Sequence, residues 1–248
     1  MITFRQFLTI LVMLWHVSQL RSHALRWKTL SMTSSSTATT PYSLYNDALH
    51  CPRFISAPMV EQSELAFRLL TRRHGADLAY TQMIHARNFM VDPKYRADCI
   101  DWIDYSSVSK EREEEAFRLD RPLIIQFAGD DPKTVVEAAK HVHHVATAVD
   151  LNLGCPQKIA KRGNYGAYLL NDQQRVHQVL SAMVKELDCP VTAKIRRLKT
   201  DEETIEMARA IEATGVSLLT LHGRTVESSK LYTGKTASKH LSALLIFA

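Results

Sequence analysis

Six stretches of apolar sequence, each ending in polar or glycine-containing residues, recur along the middle of the chain. They lie at 54–60, 78–84, 122–129, 148–154, 190–196 and 216–222. The runs at 122–127 and 216–221 are almost continuously apolar, as strands buried on both faces should be. In 148–154, by contrast, apolar residues alternate with Asp150 and Asn152, which predicts a strand that carries polar groups on one face.

Helical periodicity fills the intervals between the predicted strands. The predicted helices cover 62–74, 132–147, 172–187 and 201–214. Leu65, Leu69 and Leu70 share one face of the first, Pro132 marks the start of the second, and Gly215 ends the last. Alternating strands and helices predict an α/β fold with a parallel sheet and right-handed crossovers.

Composition is that of a soluble protein with one substantial core: 248 residues, 46% hydrophobic and 23% charged. The four cysteines show no paired spacing, so we expect reduced thiols and neither a disulfide nor a zinc site. The histidines at 141, 143 and 144 are spaced as a solvated helix surface rather than as metal ligands. The charged segment 99–121 has little apolar period and predicts an exposed insertion.

The net charge of +5 comes largely from the N-terminal segment. Residues 1–46 contain four basic residues and no acid, and removing those four leaves 27 of the 31 basic residues against 26 acidic ones. Any affinity for nucleic acid must therefore come from a local basic patch.

Residues 1–46 are predicted to be a leader or a disordered segment. The apolar run at 7–15 follows Arg5 and precedes a stretch rich in serine and threonine. It is too short to span a bilayer, and the lack of acids suits an organellar transit peptide, while a secretory signal is less compatible with the rest of the chain. Translation from Met32 is the alternative explanation.

The fourth predicted strand ends in Gly154-Cys155-Pro156. Gly154 lets the backbone bend and Pro156 prevents further pairing, which puts Cys155 at the carboxyl end of a strand. In α/β proteins, ligands and catalytic side chains collect at this end. The alternative is a buried structural thiol, because free cysteine is among the most buried side chains.

The loop that follows Cys155 is basic and rich in glycine. Lys158, Lys161 and Arg162 precede Gly166. Such a loop suits a phosphate or nucleic-acid backbone close to the thiol. A nucleophile and a proton donor are both compatible with this setting.

Other polar residues stand inside or at the end of apolar strands. Lys194 and Arg196 are two apart, so their side chains point to the same side, where they need an anion, a polar ligand or a buried salt bridge. Gln126 is an uncharged amide that needs hydrogen-bond partners. His222, before Gly223, is either a ligand contact or a satisfied core histidine.

Four strings occur in order between about Phe54 and about Thr225: SAPMVEQSELAFRLL, LNLGCPQKIAKRGNYGAYLL, VTAKIR and LTLHGRT. Together they resemble the tRNA-dihydrouridine synthases. The pair GCPQ and AKRGNYGAYL is most similar to the eukaryotic branch that acts on D-loop uridines 16 and 17. The resemblance covers roughly two-thirds of the chain.

The resemblance implies an oxidoreductase that reduces uridine in tRNA to 5,6-dihydrouridine, with FMN as the flavin and NADPH or NADH as its reductant. It implies that Cys155 is the proton donor. The positions that match flavin contacts are Pro58, Met59, Val60, Gln126, Lys194 and His222. The positions that match substrate contacts are Asn152, Lys158, Arg196 and Arg224. For Asn152, capping of the turn is the alternative.

The resemblance also implies a TIM-type (β/α)8 barrel followed by a small helical tRNA-binding domain. About six of the eight strands are recognisable, and the sequence after Thr225 lacks the family's two phosphate-binding motifs. We therefore expect an incomplete flavin-binding barrel over 47–248, two exposed sheet edges and no helical domain in this chain. A fragment, a splice form or a faulty gene model would each explain this.

Two other hypotheses stay open at this point. An inactive remnant could bind RNA or a partner through residues 158–164. A relative of the dihydroorotate or dihydropyrimidine dehydrogenases would share barrel, flavin and pyrimidine, although KRGNYGA argues for the tRNA family. We expect the cytoplasm as the location, or an organelle if residues 1–46 are a transit peptide. We also expect no metal and no stable membrane association, while the oligomeric state stays undetermined.

Overall fold

A single curved sheet organises the structure, a computed structural model that describes residues 43–101, 115, 118–227 and 243–246. Its strands are β1 Ile55–Ser56, β2 Leu78–Tyr80, β3 Ile84–His85, β4 Leu123–Ala128, β5 Ala148–Leu153, β6 Val191–Arg196, β7 Leu218–His222 and β8 Ala243–Ile246. The strand order is β1-β2-β4-β5-β6-β7-β8, and β3 also pairs with β4. All pairs up to β7 are parallel, whereas β8 runs antiparallel to β7.

Helices connect the parallel strands. They are α1 Leu65–Arg73, α2 Ala86–Val91, α3 Pro93–Asp101, α4 Pro132–Lys140, α5 Lys158–Arg162, α6 Gln173–Glu186 and α7 Asp201–Glu212, with 3-10 turns at His143–Val145 and Gly166–Asn171. Helix α7 begins with a capping box between Thr200 and Glu203. Among the residues that the structure describes, no helix is both long and apolar enough to cross a membrane.

The two faces of the sheet have different chemistry because side chains alternate along each strand. The outer face packs against the helices in the main hydrophobic core, to which Phe127, Leu151 and Ile195 belong. Near the amino ends of the strands, the inner face is apolar, with Leu78 and Ile124 in a second cluster. Toward the carboxyl ends the inner face becomes polar, as the alternation in 148–154 predicts.

Curvature brings the inner faces of distant strands together. Strands β2 and β7 are four steps apart, which would be roughly 19 Å in a flat sheet. Nevertheless the hydroxyls of Tyr80 and Thr220 lie 3.2 Å apart. The sheet therefore bends as the wall of a barrel does.

The amino-terminal side of this inner face is covered by a single helical turn, Leu44–Ala48. Leu44 and Leu49 are fully buried and pack with Leu78 and Ile124. The predicted leader ends at residue 46, but this turn begins at Leu44. The Leu44 side chain, inside the predicted leader, therefore belongs to the core on the inner face of the sheet.

The six predicted strands are all present; four differ from the predicted limits by one or two residues at an end, and the other two are much shorter than predicted. The strand predicted at 54–60 ends at Ser56. The strand predicted at 78–84 is interrupted after Tyr80, because Thr81 uses its side chain for strand contacts. Its hydroxyl accepts from the Gln126 N–H at 3.1 Å and donates to the Gln82 carbonyl at 2.9 Å.

The predicted helices are present with different limits and, in one case, a different buried face. The helix predicted at 132–147 ends at Lys140, and helices α2 and α3 were not predicted. Helix α5 was not predicted either, because Lys158, Lys161 and Arg162 were assigned to a loop. In α1, the leucine face was predicted wrongly: Leu70 is 52% exposed, while Arg68 is fully buried. Arg68 is buried because it pairs with the fully buried carboxylate of Asp120.

The prediction of an exposed insertion at 99–121 was wrong at both of its ends, and residues 102–114, 116 and 117 lie outside the described part of the chain. Cys99 and Asp120 are fully buried. The Asp120 carboxylate accepts from Arg68 Nη2 at 2.7 Å and from Arg72 Nε at 3.2 Å. This ion pair ties α1 to the start of β4.

Replacing Asp120 with alanine should lower the free energy of unfolding by about 3–5 kcal/mol, because the fully buried Arg68 would lose its carboxylate. Denaturant titration would measure the change. The matched control is Glu137→Gln, which removes an exposed pair at 3.9 Å from Lys133 and should cost less than about 0.5 kcal/mol. Equal costs for the two variants would refute a stabilising role for the buried pair.

The predicted exposure of two sheet edges was wrong for the edge at β7. Strand β8 pairs along it, with Leu219 opposite Ile246 and His222 opposite Ala243. An antiparallel strand can satisfy the backbone groups of an edge regardless of the direction of its neighbours.

Candidate active site

The polar residues predicted from four separate strands meet at one end of the sheet. Register pairs Gln126 with Asp150, Asn152 with Lys194, and Arg196 with His222. Paired residues on neighbouring parallel strands point to the same face. These side chains therefore line the inner face of β4–β7 at the carboxyl ends of the strands.

Cys155 is held by a tight turn immediately after β5. The Oδ1 atom of Asn152 accepts from the backbone N–H of Gly154 at 3.1 Å and from that of Cys155 at 2.9 Å. The turn-capping role considered for Asn152 is thus present in the structure. Gly154 lies against the Arg196 side chain, since a Cβ there would be 3.4 Å from Arg196 Cγ. The Cys155 side chain is half-buried.

The glycine-rich segment after α5 packs directly onto the Cys155 backbone. Gly166 has φ +62°, and a Cβ on it would lie 2.8 Å from the Cys155 carbonyl oxygen. Both the conformation and the close approach require glycine. The Ala167 N–H donates to the same oxygen at 3.1 Å. The basic, glycine-rich sequence predicted only a role near phosphate for this segment, whereas its contacts with the Cys155 backbone also hold the thiol in place.

A buried polar network lies beneath the turn; sequence reasoning singled out its members Gln126 and Asn152 but gave no role to Asp150 or Thr192. Asp150 is fully buried and accepts from Gln126 Nε2 at 2.8 Å and from Thr192 Oγ1 at 2.6 Å. Gln126 Oε1 in turn accepts from Asn152 Nδ2 at 2.7 Å. The available signal was the polar position 150 inside an alternating strand. Both ends of the Gln126 amide are engaged by protein, so a flavin contact would use its remaining N–H or lone pair.

Burial and charge shift the protonation of this network and of the groups above it. Burial raises the pKa of Asp150 to about 6, against the opposing effects of Thr192, Gln126 and Lys194. Burial also lowers the pKa of Lys194, which the charge of Asp150 partly offsets. Burial, followed by the charges of Lys194, Arg196 and Arg224, lowers the pKa of His222 to about 4. His222 is therefore a neutral imidazole at physiological pH.

Arg196 crosses the mouth of the site. Its Nε donates to the Gly154 carbonyl oxygen at 2.6 Å. Its Nη1 atom is buried and has no hydrogen-bond partner among the residues that the structure describes. A buried N–H donor of this kind is costly unless a ligand or a water accepts from it.

Comparison with known proteins shows to which family the chain belongs. The sequence profile of the family described as "Dihydrouridine synthase (Dus)" matches residues 55–239. The chain belongs to the dihydrouridine synthase family. It therefore has the α/β fold of the TIM-barrel type that this family adopts; the strand and helix pattern predicted the α/β class, and the family resemblance implied the barrel.

Relatives within the family are similar over most of this chain. A Saccharomyces cerevisiae tRNA-dihydrouridine(16/17) synthase [NAD(P)(+)] is 45% identical over 188 residues, 76% of this chain and 42% of the relative. A rat protein named tRNA-dihydrouridine(16/17) synthase [NAD(P)(+)]-like is 42% identical over 82% of this chain and 44% of its own length. A mouse tRNA-dihydrouridine(20a/20b) synthase [NAD(P)+]-like protein is 39% identical over 70% of this chain and 50% of its own length. The chain thus spans about half or less of the length of these relatives.

The family match includes Pro58, Met59 and Val60, which form a turn after β1 rather than part of a strand. The Met59 N–H donates to the Ser63 hydroxyl at 2.9 Å. Val60 borders a cavity of about 440 Å³ that is also lined by Glu61, Glu64, Gln82, Met83 and Tyr95. The contacts of this turn run to the segment between β2 and β3, since the Glu61 N–H donates to Gln82 Oε1 at 2.9 Å.

Two of the residues predicted to contact the substrate, Lys158 and Arg224, are exposed and lie at the rim of the site. Lys158 is exposed at the start of α5, and Lys161 and Arg162 are exposed on the same helix. Arg224 is exposed after β7, close enough for its charge to affect the pKa of His222. The rim of the site is therefore basic on two sides.

All four cysteines are free thiols. Within the described ranges, no group of three or more histidine, cysteine, aspartate or glutamate side chains is arranged to hold a metal ion.

Proposed function

We propose that this protein reduces uridine to 5,6-dihydrouridine in the D-loop of tRNA, at position 16 or 17, with FMN as cofactor and NADPH or NADH as reductant. The single observation that carries the proposal is the meeting of Cys155, Lys194, Arg196 and His222 at the carboxyl end of the sheet in a member of the dihydrouridine synthase family. The names of the 16/17 relatives support the choice of position and of nicotinamide cofactor.

The residues present fit a flavin ring. Lys194 places a cation on the inner face of the sheet, opposite Asn152, and the buried Arg196 Nη1 atom, which has no protein acceptor among the described residues, is left for the substrate uracil. His222 is neutral, because burial and three neighbouring cations lower its pKa to about 4. The lysine and the neutral imidazole suit the oxygen and nitrogen atoms of a flavin pyrimidine edge. We assign Lys194 and His222 to that edge, together with Gln126 and the turn formed by Pro58, Met59 and Val60.

When bound, reduced FMN supplies a hydride for uracil C6. Cys155 Sγ holds the proton that C5 must receive, as the general acid. Asn152 keeps the thiol in place by accepting from the Cys155 backbone N–H. Arg196 and Asn152 orient the uracil, while Lys158 and Arg224 contact the tRNA backbone from the exposed rim.

The decisive experiment incubates the protein with FMN, NADPH and an unmodified tRNA transcript, then locates dihydrouridine by nuclease mapping and mass spectrometry. We expect product at position 16 or 17 and none in a transcript that carries cytidine at both positions. Product confined to other uridines would refute the assigned positions.

A second candidate, RNA binding without catalysis, is favoured by the exposed basic helix α5. The same samples separate the two proposals. Retention of tRNA without flavin reduction or product would support the binding function. Reduction of free uracil or orotate at C5–C6, in place of uridine in tRNA, would instead support a relative of the dihydropyrimidine or dihydroorotate dehydrogenases.

A further inference from the structure

The proposed function leaves the most deeply buried acid of the site without a task. Asp150 lies on β5, two residues before Asn152, and none of its surface is exposed. Its two carboxylate oxygens accept from different strands, one from Gln126 on β4 and one from Thr192 on β6. An ionised carboxylate can only accept hydrogen bonds, and this determines how its neighbours must be turned.

A chain of hydrogen bonds runs from Asp150 to the Cys155 backbone. Gln126 donates from Nε2 to Asp150, which leaves Oε1 to accept from Asn152 Nδ2. Asn152 then has only Oδ1 to present to the N–H groups of Gly154 and Cys155. Each amide side chain uses one end as donor and the other as acceptor.

Both ends of this chain have fixed polarity. Backbone N–H groups must donate, and the carboxylate must accept, so the two amides between them satisfy every bond in one arrangement only. If the amide groups of Gln126 and Asn152 were both flipped, the Asn152 NH₂ group would face two backbone N–H donors. The two part-buried backbone N–H donors would then lack acceptors, which costs free energy for each.

We propose that Asp150 is a positioning residue, which sets the direction of this hydrogen-bond chain and thereby holds the Cys155 backbone at the end of β5. The proposal deepens the proposed function, on which it rests for the role of Cys155, but the positioning itself can be measured without turnover. Lys194 from β6 is the group whose charge acts on Asp150, and the charge of Asp150 in turn raises the pKa of the buried Tyr80 phenol on β2. Above about pH 6 the carboxyl is mainly ionised and therefore an acceptor.

Two substitutions at Asp150 separate this role from its alternatives. In Asp150→Asn, the new amide oxygen can still accept from Gln126, because the Thr192 hydroxyl can rotate and accept from the new NH₂ group. In Asp150→Leu, no acceptor is left for Gln126. If Asp150 sets the direction of the hydrogen bonds, asparagine should disturb the Cys155 backbone only mildly and leucine should disturb it strongly.

Other roles predict different patterns. If Asp150 served only as the counter-ion of Lys194, asparagine and leucine would be equally harmful, since both remove the charge. If it only filled space, leucine would be harmless or stabilising, as apolar replacements of buried charges often are.

The measurement is hydrogen exchange of the Gly154 and Cys155 amides in the ligand-free protein, with the Ala193 amide in β6 as the internal reference. We expect Asp150→Leu to speed exchange at Cys155 by about tenfold relative to Ala193, the effect of losing roughly one net hydrogen bond, and Asp150→Asn to change it less than about threefold. Equal acceleration in both variants, or none in either, would overturn the proposal.

A second variant keeps the test decisive if Asp150→Leu fails to fold. Gln126→Met breaks the chain one bond later and should speed exchange at Cys155 in the same way, while Asp150 remains in place. Unchanged exchange in Gln126→Met would also overturn the proposal. Absence of dihydrouridine formation by the unmodified protein would count against the proposed function but would leave these exchange patterns intact.

Discussion

Replacing Cys155 with alanine should abolish dihydrouridine formation while the bound flavin is still reduced by NADPH. Cys155 lies at the end of β5. Its backbone N–H and carbonyl, rather than its thiol, make the contacts with Asn152 and Ala167. Alanine preserves these contacts and removes only the proton for uracil C5. Loss of a general acid lowers the rate by roughly 100- to 10,000-fold.

Stopped-flow measurement of flavin reduction, combined with mass analysis of dihydrouridine in tRNA, tests this expectation. Cys189→Ala is the matched control, because Cys189 is a partly buried free thiol that precedes β6 at the opposite end of the strands. It should retain the normal rate of both steps. A normal yield of dihydrouridine in Cys155→Ala would remove Cys155 from the mechanism.

Replacing Lys194 with methionine should weaken FMN binding by about 10- to 150-fold, the effect of losing one hydrogen bond to a charged group worth roughly 1.5–3 kcal/mol. Methionine keeps most of the side-chain volume in a position that is partly buried. The ring edge assigned to Lys194 would then lack its cationic donor, and Asp150 would lose a neighbouring charge.

Titration of FMN fluorescence with the apoprotein measures this affinity. Lys158→Met is the matched control, because Lys158 is exposed on α5 and assigned to the tRNA backbone. It should leave FMN affinity unchanged and weaken tRNA binding, more so at low salt. Normal FMN affinity in Lys194→Met would show that the lysine does not contact the flavin.

Strands and helices were largely predictable. Where an element has one buried and one polar face, apolar residues recur along its sequence with the period of a helix or a strand. The alternation of Leu151 with Asp150 and Asn152 predicted both the strand β5 and its polar inner face. Prediction failed where a side chain replaced backbone pairing, as Thr81 does between β2 and β3. It also failed where a buried ion pair outweighed the leucine pattern, as at Arg68 and Asp120.

Within the site, the sequence by itself determined which chemical groups are available. A thiol after Gly154, a Lys194–Arg196 pair two residues apart, and His222 at a strand end are all readable, because each belongs to one strand and follows its local period. Because side chains two residues apart on a strand lie on the same face, the sequence also predicted that Lys194 and Arg196 point to the same side.

Only the tertiary structure decided which of these groups satisfy one another. Asp150, Gln126 and Thr192 come from three strands, and the register between those strands makes one carboxylate the acceptor for both neighbours. The contact between Gly166 and Cys155 likewise depends on how a loop folds back over the end of β5. Hydrogen-bond direction and close approach are properties of pairs of atoms that the chain brings together from a distance, so no pattern along the sequence carries them.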